Sequence, residues 1–241
     1  AFSSRGPTLD RRIKPDVVGP GTNILSNCSL QDSASKLWGE YNKNYCFSGG
    51  TSMSTPLVAG GAAVVRQHLI NLYGLRSPSA AIVKAILMNT AFDLFPGQFG
   101  FRSSGQELLT TAPNNDQGYG RVDMDKATNS NKVLRIVDAK QGVSLNKPTS
   151  FRVATQGASD IKITLVYTDA PGSTSAEKSL VNNIDLEVRT TSGRLVKAQS
   201  KVNNHEQIQL SGVEGAYVTV KVIGKNLPIT KSGFVPFALV I

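Results

Sequence analysis

The chain has 241 residues, 40% of them hydrophobic and 18% charged, with 22 Gly and 11 Pro, a balance that excludes a disordered or collagen-like polypeptide and leaves ample length to bury a core. Its 26 Lys and Arg against 17 Asp and Glu give a net charge of +9, but the excess is spread: residues 1–140 carry 15 basic and 10 acidic groups, residues 141–241 carry 11 and 7. No basic tail or stripe points to nucleic acid and no apolar run approaches the ~20 residues of a membrane span, so neither is expected as a partner.

The chain opens on Ala1-Phe2-Ser3-Ser4-Arg5-Gly6-Pro7, with neither an initiator methionine nor a signal peptide, as expected of a mature fragment. Arg11, Arg12 and Lys14 read as a solvated loop. Cys28 and Cys46 are too few for a disulfide framework or a zinc site, since His68 and His205 are distant in sequence. They are able to pair with each other, although spacing alone does not say whether their Cα atoms come within bridging distance. Asn27-Cys28-Ser29 is a plain glycosylation sequon.

After Gly50-Thr51-Ser52 and Pro56, the residues Leu57, Val58, Val64, Val65, Leu69 and Ile70 predict one long buried helix, with small residues from Ala59 to Ala63 on its path. A second helix is predicted from Ser77-Pro78-Ser79, with a capping serine and a proline in its first turn, through Ile82, Ile86 and Leu87 to about Met88 or Asn89. A linker is placed near Asp138 to Ser144. Beyond it the pattern changes to period two, with strands expected at Phe151, Ile161–Tyr167, Ile184–Val188, Leu195, Ile208–Leu210, Tyr217–Val222 and Phe237–Ile241, and a hairpin turn at Ser192-Gly193. The organisation read from this is a mixed helix and strand unit over 1–140 and an all-β sandwich of jelly-roll type over 141–241.

The chemistry concentrates at Ser52. A serine that follows two glycines and opens a long helix gains close backbone approach and the positive end of the helix dipole, which both favour a nucleophile whose product is an oxyanion. An isolated serine there would ordinarily be only a helix cap. Its hydroxyl also needs a base within hydrogen-bond reach. His68, about 16 residues on along one helix at ~1.5 Å rise, would stand roughly 24 Å away, and His205 in the polar run Asn203-Asn204-His205-Glu206 reads as a surface turn residue. Two Ser-x-x-Lys matches, Ser33 to Lys36 and Ser175 to Lys178, fall in polar loops and read as chance. Asp169, before Ala170-Pro171-Gly172, and Asp185, after Asn182-Asn183, stand at two strand ends where carboxylate and carbonyl oxygens are expected to converge on a calcium ion; the alternative is ordinary turn stabilisation.

The run Gly50-Thr51-Ser52-Met53-Ser54-Thr55-Pro56-Leu57-Val58-Ala59-Gly60 resembles the active-site serine motif of the subtilisin-like serine proteases. Phe2–Pro7 and Ile13-Lys14-Pro15-Asp16-Val17-Val18-Gly19-Pro20-Gly21 are similar to segments that precede this serine in the family. Ala85–Ala91 and Gly118–Asp123 resemble the elements that close its catalytic domain. The likeness covers residues 1 to about 135. Leu165–Pro171 and Leu180–Leu186 also resemble segments of the C-terminal β-barrel appended to bacterial alkaline subtilases. Ser54 stands where alanine is usual, Leu57 where histidine is common and Gly19 where alanine usually precedes Pro20-Gly21.

The resemblance implies the C-terminal part of an α/β catalytic domain with a parallel sheet, followed by the jelly-roll domain. It implies an extracellular serine endopeptidase acting on proteins or peptides through an acyl-enzyme on Ser52. The family's aspartate and histidine come earlier in chain order, so the N-terminal part of the same protease is the expected partner and this stretch alone is expected to be inactive. It also raises the expectation of structural calcium. A non-catalytic relative that only binds or scaffolds is the alternative.

Overall fold

The computed structural model describes residues 2–31, 35, 37–102, 104–129 and 135–241; the first Ser-x-x-Lys match lies partly outside them. Three short strands come first, β1 (Ile24–Asn27), β2 (Glu40–Asn42) and β3 (Tyr45–Ser48), in an antiparallel sheet of order β1-β3-β2. They lead into helix α1 (Thr51–Tyr73), followed by α2 (Ala80–Asn89) and the short α3 (Met124–Thr128). The expected parallel sheet is represented among the described residues by one bridge, Val18 to Arg121. Parallel pairing needs a long crossover between its strands; the other parallel bridge among the described residues, Leu145 to Gly224, lies in the C-terminal β unit.

Ser79 caps α2 as predicted, its Oγ accepting from the Ile82 N–H at 3.1 Å. Pro78 lies just before the cap rather than inside the first turn. Asp138 accepts from both the Ser79 N–H and its hydroxyl, at 3.0 and 2.6 Å, which anchors the helix start. The α1 helix corrects the expectation of burial: only Gly61, Val65 and Leu69 are buried, while Leu57, Val64 and Leu72 are exposed, because one stripe of the helix packs on α2 and α3 and the rest faces outward.

Eight further strands follow: β4 (Ile136–Ser144), β5 (Thr149–Ala154), β6 (Ile161–Val166), β7 (Asn183–Thr190), β8 (Leu195–Ala198), β9 (His205–Leu210), β10 (Tyr217–Asn226) and β11 (Phe234–Val240). They form two four-stranded sheets of order β5-β10-β7-β8 and β4-β11-β6-β9, with every pairing antiparallel. The predicted hairpin at Ser192-Gly193 joins β7 to β8, with the Gly193 N–H on the Thr190 carbonyl at 3.1 Å. The stretch expected as a linker is strand β4. Its run of Asp138, Lys140 and Gln141 hides the alternation, and its register shifts against β11 between Val235 and Phe237.

Alternation along β11 ties the molecule together. Phe237, Leu239 and Ile241 enter the core between the two sheets with Leu165, Leu186 and Val220. Ala238 and Val240 point the other way, joining Val166 against Ile82, Ile86 and Val65 of the helices. Asn89 at the end of α2 sews the contact, its amide donating to the Lys162 carbonyl, the Thr164 hydroxyl and the Val240 carbonyl at 3.0, 3.0 and 3.3 Å. No helix among the described residues is long and apolar enough to cross a membrane.

Candidate active site

Ser52 is the second residue of α1 and is exposed. Gly50 caps the helix at φ 144°, ψ 164°, a backbone region essentially reserved for glycine, so a side chain at this position would strain the turn. Its N–H donates to the Gly21 carbonyl at 2.7 Å, and its carbonyl accepts from Met53 and Ser54 at 3.0 and 3.4 Å. The first amides of a helix have no intrahelical acceptor, and among the described residues the Thr51 and Ser52 N–H groups find none elsewhere. The positive end of a 23-residue helix therefore lies at Ser52. Pro56 has no N–H to give to the Ser52 carbonyl four residues back.

The departures Ser54 and Gly19 complement each other: the Ser54 hydroxyl donates to the Gly19 carbonyl at 2.9 Å, while a methyl at Gly19 would stand 2.9 Å from Val58 Cγ2 and 3.1 Å from Ser54 Oγ. Trp38, not singled out by the sequence, lies over Gly49 so closely that any side chain there would overlap its ring. Met53 packs beside the Ser52 turn with its sulfur 3.6 Å from the Ser48 hydroxyl, which donates to it.

The segments Lys14–Gly19 and Gly118–Asp123 meet. Tyr119 N–H donates to the Asp16 carbonyl at 2.9 Å, Val18 N–H to that of Gly120 and Val122 N–H to that of Val18, both at 3.0 Å. Asp16 pairs with Lys84 at 2.9 Å and with Lys14 at 2.5 Å; burial alone would raise its carboxyl, and the two ammonium groups more than offset that, so it sits below its usual range.

Among the described residues the Ser52 hydroxyl donates no hydrogen bond to a base. His68 lies on α1 against the Tyr73 ring, 5.7 Å between centroids. His205 corrects its surface reading: it opens β9, is 3% exposed, packs edge-on to Tyr119 at 5.3 Å, and neither ring nitrogen has a partner among the described residues. Burial, reinforced by Lys84 and Lys14 and opposed by Asp16, pulls its pKa down to about 3. Beside it in sequence, buried Glu206 accepts from the Ser200 N–H at 2.6 Å. Burial, with Asp185 adding to it, pushes Glu206 up to about 8 against that hydrogen bond.

These two buried groups act on stability with opposite sign. The unfolded chain binds the His205 proton that the folded one lacks between about pH 3 and 6.5, so stability falls there as pH drops. The folded chain holds the Glu206 proton that the unfolded one loses between 4.5 and about 8, so stability falls there as pH rises. The slopes cancel where the windows overlap, giving a plateau from pH 4.5 to 6.5, with a loss of about 2 kcal/mol by pH 8. Thermal melts across pH check this: Glu206→Gln should flatten the alkaline limb and His205→Gln the acidic one.

Asp169 does not fit the calcium reading. One oxygen accepts from Val181 N–H at 2.7 Å, the other from Ala170 N–H, Asn182 N–H and the Asn182 amide at 2.9, 2.9 and 3.0 Å, so the carboxylate is a turn anchor. Asp185 Oδ2 accepts from Gln199 at 2.7 Å, whereas Asp185 Oδ1 and Asn183 Oδ1 are buried without a partner. Among the described residues no group of three or more His, Cys, Asp or Glu is placed to hold a metal.

Residues 1–120 match the model of the subtilase family of peptidases. A serine protease/ABC transporter B family protein, tagD, of Dictyostelium discoideum is 29% identical over 81% of this chain, and its relative tagA is 28% identical over 97%. The minor extracellular protease Vpr of Bacillus subtilis is 32% identical over 64% of the chain. The chain spans 13–15% of the length of these relatives. With the serine turn, its glycine cap and the Lys14–Gly19 segment inside the matched stretch, this chain belongs, through residues 1–120, to the subtilase family.

Proposed function

We propose that Ser52 is the nucleophile of a serine endopeptidase that attacks the peptide carbonyl and forms an acyl-enzyme, with general base and orienting carboxylate supplied by a segment of the same protease outside these 241 residues. The observation that carries this reading is the exposed Ser52 at the start of α1, with the N–H groups of Thr51 and Ser52 finding no acceptor among the described residues. In the attack the hydroxyl proton passes to that base as the new C–O bond forms, and the Ser52 N–H stabilises the oxyanion. The relatives' printed names, serine proteases among them an extracellular one, support protein substrates and secretion. They do not favour the non-catalytic alternative. The strand orders β4-β11-β6-β9 and β5-β10-β7-β8 support reading the C-terminal strands as a jelly roll. The experiment is reaction of the complete protease with a fluorophosphonate, with and without Ser52→Ala; the adduct should require Ser52.

Met53 sets a second test. Sulfoxide formation would put a polar, bulkier group on the thioether that now contacts Ser48. Peroxide should lower turnover of the complete enzyme before it lowers the melting temperature, and Met53→Ala should resist that loss. Equal loss in both proteins would remove Met53 from the account.

For calcium, the proposal rests on Asp185 and Asn183, whose partnerless oxygens suit a hard cation. Calcium should raise the melting temperature of the chain relative to chelator by mass action, and Asp185→Asn should remove the rise. Identical midpoints for the parent chain at millimolar calcium would reject the site.

A further inference from the structure

The two cysteines lie in the first sheet, Cys46 within β3 and Cys28 just past the end of β1, close in sequence to the Ser52 turn. Cys46 sits within β3, opposite Ser26 on β1 and Glu40 on β2. Cys28 directly follows β1, and its N–H donates to the Asn44 carbonyl at 2.7 Å, so the ladder runs one step further and Cys28 faces Asn44. The two side chains thus share one face of the β1–β3 pair as diagonal neighbours, a separation that a small backbone shift brings within bridging distance. Cys28 is near enough to act on its neighbour's ionisation, holding the Cys46 thiol above its usual range.

Packing does not account for the pair. Both residues are only half-buried, and neither belongs to a hydrophobic core cluster. Their surroundings are polar, with Ser26 and Glu40 as the cross-strand neighbours of Cys46. Cys28 is the last residue held by the ladder before the chain leaves the sheet, which leaves its backbone free to take up the small shear that closing a diagonal bridge requires.

We propose that Cys28 and Cys46 form a reversible disulfide across the β1–β3 strand pair, made by exchange with a small-molecule disulfide such as oxidised glutathione. The Cys28 thiolate attacks one sulfur of glutathione disulfide and releases one glutathione thiolate. The Cys46 thiolate then attacks the Cys28 sulfur of that mixed disulfide, releasing the second. The protein loses two electrons and two protons, and the oxidant becomes two molecules of reduced glutathione. The bridge closes the loop from Cys28 to Cys46 and fixes β3, which runs through Phe47, Ser48 and Gly49 into Gly50. Its function is to lock that strand in oxidising surroundings, where such bonds persist. The proposal stands independently of the catalytic role given to Ser52.

The test is equilibration of the 241-residue chain in glutathione buffers from fully reduced to fully oxidised, followed by alkylation with N-ethylmaleimide, intact mass and peptide mapping. The expected result is two alkylated cysteines when reduced and, when oxidised, no alkylation and a Cys28–Cys46 cross-linked peptide in monomeric protein. The melting temperature should rise by about 5–10 °C on oxidation. Cys28→Ser and Cys46→Ser should each stop at a mixed disulfide with glutathione and lose the rise. Should the serine variants fail to fold, the cross-linked peptide from the parent chain decides alone. Mixed disulfides at both cysteines, a bridge between two chains, or full alkylation after oxidation would each overturn the proposal.

Discussion

Changing Ser52 to alanine should lower peptide hydrolysis by the complete protease by more than about a thousandfold, because the acyl ester then has no oxygen to form on and the base, itself contributing ~10²–10⁴-fold, has no proton to take. The fold should not notice. Ser52 is exposed and its hydroxyl makes no hydrogen bond among the described residues, so the change belongs with surface substitutions that move stability within about 0.5 kcal/mol. Ser54→Ala provides the contrast. It removes the bond to the Gly19 carbonyl and leaves the reacting hydroxyl in place, so hydrolysis should persist. Loss of activity in Ser54→Ala but not in Ser52→Ala would move the nucleophile by two residues and refute the assignment.

Phe237→Ala should have the largest effect on stability, about 3–5 kcal/mol. The ring is almost wholly buried between the two sheets and meets Phe151 edge-on, 6.2 Å between centroids. Its neighbours on the same strand, Ala238 and Val240, pack against the helices. A cavity at Phe237 therefore loosens the strand that both cores share. Chemical denaturation followed by helix signal and by tyrosine fluorescence should give one transition, shifted equally for both probes. Two separated transitions, with only one displaced, would show that helices and sheets unfold independently.

The parts legible in the sequence were those whose causes are local. The Gly49-Gly50 pair before Ser52 announces a backbone that only glycine adopts, and Gly50 takes up φ 144°. Ser79 caps α2 through its own hydroxyl, and Ser192-Gly193 turns β7 into β8. What escaped depended on distant partners. The polar residues of β4 acquire strand pairing from β11, about 100 residues later. Asn203-Asn204-His205-Glu206 has the composition of a turn, yet Tyr119 covers His205 and the Ser200 amide binds Glu206. Asp169 looks like a ligand until the amides of Val181 and Asn182 are folded onto it. Trp38 carries no signal at all, because it meets Gly49 only once β2 and β3 pair and bring the two ends of that hairpin together.

Mapping the site of a fluorophosphonate adduct tests the central claim most directly. The complete protease is treated until peptide hydrolysis ceases, digested, and analysed by mass spectrometry. The account expects one adduct per molecule, on the peptide that contains Ser52, and expects the 241-residue stretch alone, without its base, to react far more slowly. Complete inactivation with an unmodified Ser52, or with the adduct on another serine, would contradict it.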